Sequence, residues 1–289
     1  MARNAAKDWT TDAALRAAIG GLRLLPYPAR VAAMGHLLSG AGAPLAGWRR
    51  RIRSNLAHAW PDLSASDVDR LVRDVPDNAG RTIIEMYSPT EFVARTHDLP
   101  LNGPGAPALA KAAEEGRPVV GVTAHLGNYN AARSAIAAKG WAFTALYRPM
   151  KNPYTEAHYK AAMEGIAGPV HPKGLKGMTA ITKHLRAGGF FAILADLYVA
   201  RAPVLSFFGR PARTSTAAAE IAAKHDALLI PFYGIRGPDG LSFEVRIGAE
   251  VPPGSPEDRM QHLNDDLEGV VREVPGQWFW VHRRWKDAP

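Results

Sequence analysis

The chain contains no cysteine. Disulfides, thiolate nucleophiles and cysteine-ligated zinc are excluded, and a reducing compartment is permitted without being required. Long apolar runs are missing as well. The longest uncharged stretch near the N-terminus, residues 31–48, is interrupted by His36, Ser39, Pro44 and four glycines, too polar and broken for a spanning helix. The opening residues MARNAAKDW place no apolar segment behind a basic start, so no signal peptide is expected. There is no His-Glu-x-x-His pattern and no acidic cluster at ligand spacing, so no metal is implied. Acidic residues are outnumbered, 27 Asp plus Glu against 35 Lys plus Arg, for a net charge of +8. Such an excess suits an acidic partner: nucleic acid, an anionic membrane surface or an acidic carrier protein. Charge alone does not separate these. The RNP, KH and zinc-finger patterns are absent too, so nucleic acid is not an expected partner.

Apolar residues make up 47% of the 289 positions, enough for a substantial core and against wholesale disorder. Residues 10–90 read as helices. Ser64 is placed to cap a helix from about Ala65, with Pro61 breaking the chain before it. Earlier, Arg16, Arg23 and Arg30 stand seven residues apart in an apolar setting. Seven residues is two helical turns, so they fall near one face, as in a helix on anionic lipid or one packed on the domain with a solvated basic side. After the Gly/Pro-rich stretch 101–109 the pattern alternates. Strands are expected at 117–123, 142–147, 190–195, 227–235 and 241–250. Helices are expected at 104–115, 128–139, 153–166, 174–187, 214–224 and 256–273. The fold class is α/β: a central mixed, mostly parallel sheet flanked by helices, with a helical N-terminal part. The expected division is a membrane-associating helical part, 1–100, and an α/β core, 101–289, the two forming one continuous structural unit.

The segment TAHLGNYNAA, 123–132, carries the chemistry. His125 follows a strand pattern and precedes a helix pattern, a common place for a general base. Asn130 lies five residues on. Five residues is about 500° of helix rotation, so the two meet only if His125 sits in the loop and Asn130 in the first turns. Backbone N–H groups near Gly127 and Asn128 would then be free at a helix start, suited to an oxyanion or a phosphate. On spacing alone, a turn histidine bonded to backbone is the simpler reading.

HLGNYN also resembles the H-x4-(D/E) acyltransferase motif, in the HxGNWE form of the lipid A late acyltransferases. Further blocks resemble that family in order: RRRIRSNLAHAWPDLS (residues 49–64), YRPMKNP (147–153), GLKGMTAITKHLRAGGFFAILAD (174–196), FFGRPARTSTAAAEIAAKHDALLIPFY (207–233) and VREVPGQWFWVHRRWK (271–286). The resemblance implies transfer of a fatty acyl chain from an acyl thioester, on acyl carrier protein or coenzyme A, to a hydroxyl of a membrane lipid. It implies no cofactor beyond that donor. It also implies a peripheral or monotopic seat on the cytoplasmic face of the inner membrane of a Gram-negative bacterium. His125 resembles the base, and position 130 the acid that orients it. Asn130 carries no charge there. In the serine-protease triad an Asp-to-Asn change at the orienting position costs about 10⁴ in kcat. Three readings follow: Asp exchanged for its near-isostere, another carboxylate in the role, or activity lost. The near-complete blocks around the site favour the first.

Other candidates attach to the same blocks. Arg148 suits a phosphate or carboxylate contact, with Lys151 and Asn152 as weaker companions. Asp196 ends a strand and suits orientation of a substrate or of a helix start, where relatives read Asp-Gln and this chain Asp196-Leu197. Arg210 and Arg213, before a helix capped by Thr214 or Ser215, suit phosphates of a headgroup or of the donor. Phe207 and Phe208 suit an acyl groove or the core. The three tryptophans of QWFWVHRRWK, beside His282, Arg283, Arg284 and Lys286, suit a membrane interface. Glu85 is a candidate replacement acid. The resemblance implies a lipid A precursor as acceptor. A lyso-phospholipid, or a lyso-aminolipid acylated on its 3-hydroxyacyl group, is the alternative, and a non-catalytic lipid-binding protein is the reading from another class.

Overall fold

The computed structural model describes residues 5–286, so the first four residues of the opening segment lie outside the described residues. Helices come first, as the pattern expects: α1 (Ala5–Arg23), α2 (Tyr27–Leu37), α3 (Ala43–Leu45), α4 (Trp48–Ala59), α5 (Ala65–Met86) and α6 (Pro89–Thr96). Ser64 caps α5, its Oγ accepting from the Asp67 N–H at 3.1 Å. Gly80 of α5 lets the helix lie against the backbone of α2 at Met34 and Gly35, where a Cβ would collide.

One expectation fails here. The chain turns at 24–26 with Pro26 before α2, so Arg16 and Arg23 lie on α1 and Arg30 on α2. Arg30 points inward, donating to Ser88 Oγ at 3.1 Å and Glu91 at 3.0 Å. A buried guanidinium needs its donors satisfied, so this arginine serves packing and the continuous basic face does not form. Among the described residues no helix is long and apolar enough to cross a membrane.

The strands are β1 (Leu101–Asn102), β2 (Val119–Thr123), β3 (Phe143–Tyr147), β4 (Val170–Pro172), β5 (Phe190–Leu194), β6 (Val204–Phe207), β7 (Arg210–Arg213), β8 (Leu228–Arg236) and β9 (Phe243–Ile247). Helices α7 (Ala106–Glu114), α8 (Tyr129–Ala138), α9 (Pro153–Glu164), α10 (Leu175–Arg186), α11 (Ala217–Lys224) and α12 (Pro256–Glu273) alternate with them. Seven strands form one sheet in the order β1-β9-β8-β2-β5-β3-β4. Among the described residues its only antiparallel strand pair is β8 with β9, and β6 with β7 makes a separate hairpin. Every residue of β2 and β8 is buried, as expected of central strands covered on both faces. Alternate residues feed two cores. Val119, Ile230 and Phe232 pack on one side with Phe143 and Phe190, and Val120, Val122 and Leu229 pack on the other with Ile181 and Phe191.

A third core is aromatic. Phe207 and Phe208 pack with Trp278, Trp280 and Trp285, which are 0%, 0% and 9% exposed. Burial of these rings corrects the membrane-interface expectation for QWFWVHRRWK: they hold the C-terminal segment onto the β6–β7 hairpin.

Gly121 of β2 lies between the rings of Phe190 and Phe232, with no room for a Cβ. Gly121→Val adds strand propensity but overpacks this contact. We expect a loss of roughly 1–3 kcal/mol in urea unfolding, where propensity alone predicts a gain.

Candidate active site

Parallel strands β2 and β5 pair with Thr123 opposite Leu194. Carrying that register two residues past both carboxyl ends brings His125 opposite Asp196. The carboxylate takes the backbone N–H of His125 on Oδ2 at 2.9 Å and Nδ1 of the same residue on Oδ1 at 2.9 Å. Trp278 Nε1 donates to Oδ2 at 3.1 Å. An ionised carboxylate only accepts, so Nδ1 carries the proton and Nε2 is the basic nitrogen. Burial opposes the charge on Asp196, but the adjoining His125 imidazole and its hydrogen bonds outweigh it and hold the carboxyl below the usual range. The His125 side chain is 31% exposed and opens to solvent.

His282 completes the setting. Its ring meets that of His125 edge-on, centroids 4.6 Å apart, and its Nε2 is buried without a hydrogen-bond partner. Burial, then the neighbouring His125, push its pKa down to about 4, so it is neutral at physiological pH. Ligand atoms of His125, Asp196 and His282 lie within 4.8 Å of one another, close enough to share a cation. Both carboxylate oxygens, however, are already engaged in hydrogen bonds.

The loop after His125 is held from behind. Gly127 has φ +56°, and a Cβ there would strike the Gly234 carbonyl. The N–H groups expected to be free are taken: Gly127 donates to the Gln277 carbonyl at 3.0 Å and Asn128 to the Gly234 carbonyl at 2.8 Å. This corrects the oxyanion or phosphate role expected for those amides, because a donor spent on backbone is not offered to a ligand. The Gly127 carbonyl accepts from Asn78 and Thr82 of α5. Asn128 caps α8 through its Oδ1 and donates from Nδ2 to Glu85 at 2.7 Å. Glu85, 0% exposed, does not reach His125. It forms a two-pronged ion pair with Arg236 of β8, which also donates to Asn78.

Asn130 does not face the imidazole. Its Oδ1 accepts from Arg133 Nη1 at 2.6 Å and its Nδ2 is buried without a partner. Arg133, 3% exposed, also donates to the Ala167 carbonyl and lies over the Phe143 ring. It makes no ion pair among the described residues, and burial lowers its pKa. Position 130 therefore serves a buried guanidinium.

His125 lines a cavity of about 700 Å³ walled largely by apolar side chains, among them Met163, Met178, Ile193, Val199 and Ile221. Arg148 and Leu197 line the same cavity. Lys151 is exposed, and Asn152 caps α9, accepting from the Tyr154 and Thr155 N–H groups. Arg210 and Arg213 do not line this cavity. Their guanidinium groups bond the carbonyls of His58 and Ala202, and α11 starts at Ala217, later than expected. His282 was legible as a residue but not as a neighbour of His125.

A carboxylate-held imidazole at the edge of an apolar cavity suits a group-transfer enzyme whose substrate carries a long apolar chain. Comparison with known proteins narrows that class. Residues 3–287 match the family described as bacterial lipid A biosynthesis acyltransferase, and the chain belongs to that family. It is an acyltransferase. A relative from Haemophilus influenzae, named lipid A biosynthesis acyltransferase, is 20% identical over 274 residues, covering 90% of this chain and 82% of the relative.

Two expectations follow. Arg236→Met leaves Glu85 buried without its partner and should cost about 3–5 kcal/mol in chemical unfolding, most of it recovered by adding Glu85→Leu. His282 has a folded pKa of about 4 against an ordinary 6.5, so the unfolded chain binds the extra proton between those values. The stability that neutral His282 contributes is complete above pH 6.5 and is lost as pH falls toward 4, on the order of 3 kcal/mol. Urea unfolding across that window should show the slope in the parent and a shallower one in His282→Phe.

Proposed function

We propose that this protein transfers a fatty acyl chain from an acyl thioester to a hydroxyl of a membrane lipid, with His125 as general base and Asp196 as the acid that orients it. The observation that carries the reading is the 2.9 Å bond from Nδ1 of His125 to Asp196 at the edge of the apolar cavity. An alcohol is a poor nucleophile near neutral pH, so a base must take its proton during attack. Nε2 of His125 takes the hydroxyl proton as the oxygen attacks the thioester carbonyl. Asp196 stabilises the imidazolium that forms. Collapse of the tetrahedral intermediate breaks the C–S bond, and the imidazolium returns the proton to the departing thiolate. The products are an ester and a free thiol. The cavity accepts the acyl chain, its volume being that of ordinary ligand pockets.

The donor is acyl carrier protein or coenzyme A thioester, and the net positive charge favours an acidic carrier. A lipid A precursor is the acceptor that the family and the Haemophilus influenzae relative support. Leu197, apolar and 38% exposed at the cavity, favours the second reading, a lyso-phospholipid or lyso-aminolipid. A seat on a membrane surface is supported by Trp9, Leu24, Leu37 and Leu45, all exposed on or between the N-terminal helices, and the cytoplasmic face of the inner membrane is the one that the family resemblance implies.

Asp196→Asn should lower kcat by about 10³–10⁴ with little change in KM. Asn130→Asp places its charge against Arg133, so its rate should stay within about tenfold of the parent. Both are read with labelled acyl carrier protein and acyl coenzyme A against lipid A precursor, lyso-phospholipid and lyso-aminolipid. A parental rate in Asp196→Asn would sink the reading. A large gain in Asn130→Asp would return the orienting role to position 130.

A further inference from the structure

A second cavity, of about 500 Å³, is lined by α4 and by the loop that carries His282. Its chemistry is unlike that of the first. Arg51, Ser54 and His58 share one stripe of α4 at three- and four-residue spacings, and Arg50 stands one turn before Ser54 on its edge. Ile52, Leu56 and Ala59 bury the opposite stripe in the aromatic core. Arg283 and Lys286 close the other side, with Trp285 as a wall. No carboxylate lines the cavity among the described residues. Among the described residues the side chains of Arg50, Arg51 and Arg283 make no ion pair, whereas Arg53 of the same helix meets Asp69.

The cavity is built onto the reaction centre. Asn55 of α4 donates to the carbonyls of Trp280 and His282 at 2.6 and 2.7 Å, fixing α4 to the loop. His282 meets His125 with its ring, and the next residue, Arg283, faces the basic cavity. The charge of Arg51 is among the causes that keep His282 neutral.

We infer that this cavity binds a phosphate ester carried by one of the two substrates. Resting on the acyl-transfer reading, it assigns part of substrate recognition to α4 and the C-terminal loop. Several guanidinium groups around a concave site match tetrahedral phosphate oxygens by paired hydrogen bonds, and like charges gathered around one concavity gain from an incoming anion. The phosphate is either the diester of the donor's pantetheine arm or a phosphate on the acceptor lipid.

The test uses Arg51→Gln, Arg283→Gln and the double variant in the full chain, with unchanged melting as the folding control. Equilibrium dialysis of labelled pyrophosphate at low salt should show binding weakened about tenfold or more in the double variant. Transfer is then measured with acyl coenzyme A and with the phosphate-free acyl N-acetylcysteamine thioester. A donor phosphate in the cavity raises KM for acyl coenzyme A about tenfold and leaves the phosphate-free donor unaffected. An acceptor phosphate raises the acceptor KM with either donor, and the effect vanishes on a dephosphorylated acceptor. Unchanged KM values in the double variant overturn the inference and leave acyl transfer intact. If the parent makes no ester from any pair, the acyl-transfer reading fails instead, and pyrophosphate dialysis alone decides the site: equal binding by parent and double variant overturns it.

Discussion

The ion pair of Glu85 with Arg236 ties the helical N-terminal part to the sheet and to the site at once. Glu85 comes from α5 and Arg236 from the end of β8, and both are buried. Two charges in so poor a solvent persist only when their geometry is good and the remaining hydrogen-bonding atoms are satisfied. Here the spare bonds go to Asn78, Thr82, the Gly240 carbonyl and Asn128. Asn128 is the cap of α8, and the Gly127 carbonyl is held by Asn78 and Thr82 of α5. The pair thus fixes the loop that begins at His125, and the loop has no freedom left to offer its amides to a substrate.

The second constraint is the register of β2 with β5. Parallel strands that are neighbours in space and distant in sequence present their carboxyl ends together, the usual place for a site in such sheets. Asp196 gains three donors at that edge, two from His125 and one from Trp278. A buried carboxylate with three donors stays ionised despite its burial. The same Trp278 belongs to the aromatic core under the C-terminal loop, so packing there and orientation of the imidazole are one structure. The basic cavity on α4 abuts that loop, which links it to the contact between His282 and His125.

Most elements were legible along the chain. Alternation of apolar runs with amphipathic stretches located β2, β3, β5, β8 and β9 and the helices between them, since period and punctuation are local properties. Short strands escaped: β1, β4 and the hairpin of β6 and β7 carry too few residues for a period. Within the site, His125 and Asp196 were each readable as residues at strand ends. Their pairing was not, because seventy-one positions separate them and only strand order makes them adjacent. Position 130 misled for the same reason. The resemblance to the H-x4-(D/E) motif implied a partnership with His125, yet the first turns of α8 carry its side chain to Arg133.

Sequence alone determined the alternating α/β pattern, the place of the histidine between strand and helix, the excess of positive charge and the absence of thiol chemistry. Those follow from composition and from periods that each segment carries within itself. Tertiary structure decided which carboxylate holds the imidazole, which tryptophans are core and which arginines share a cavity. Each of these is a contact between segments far apart in the chain, set by strand order, and no local pattern encodes it.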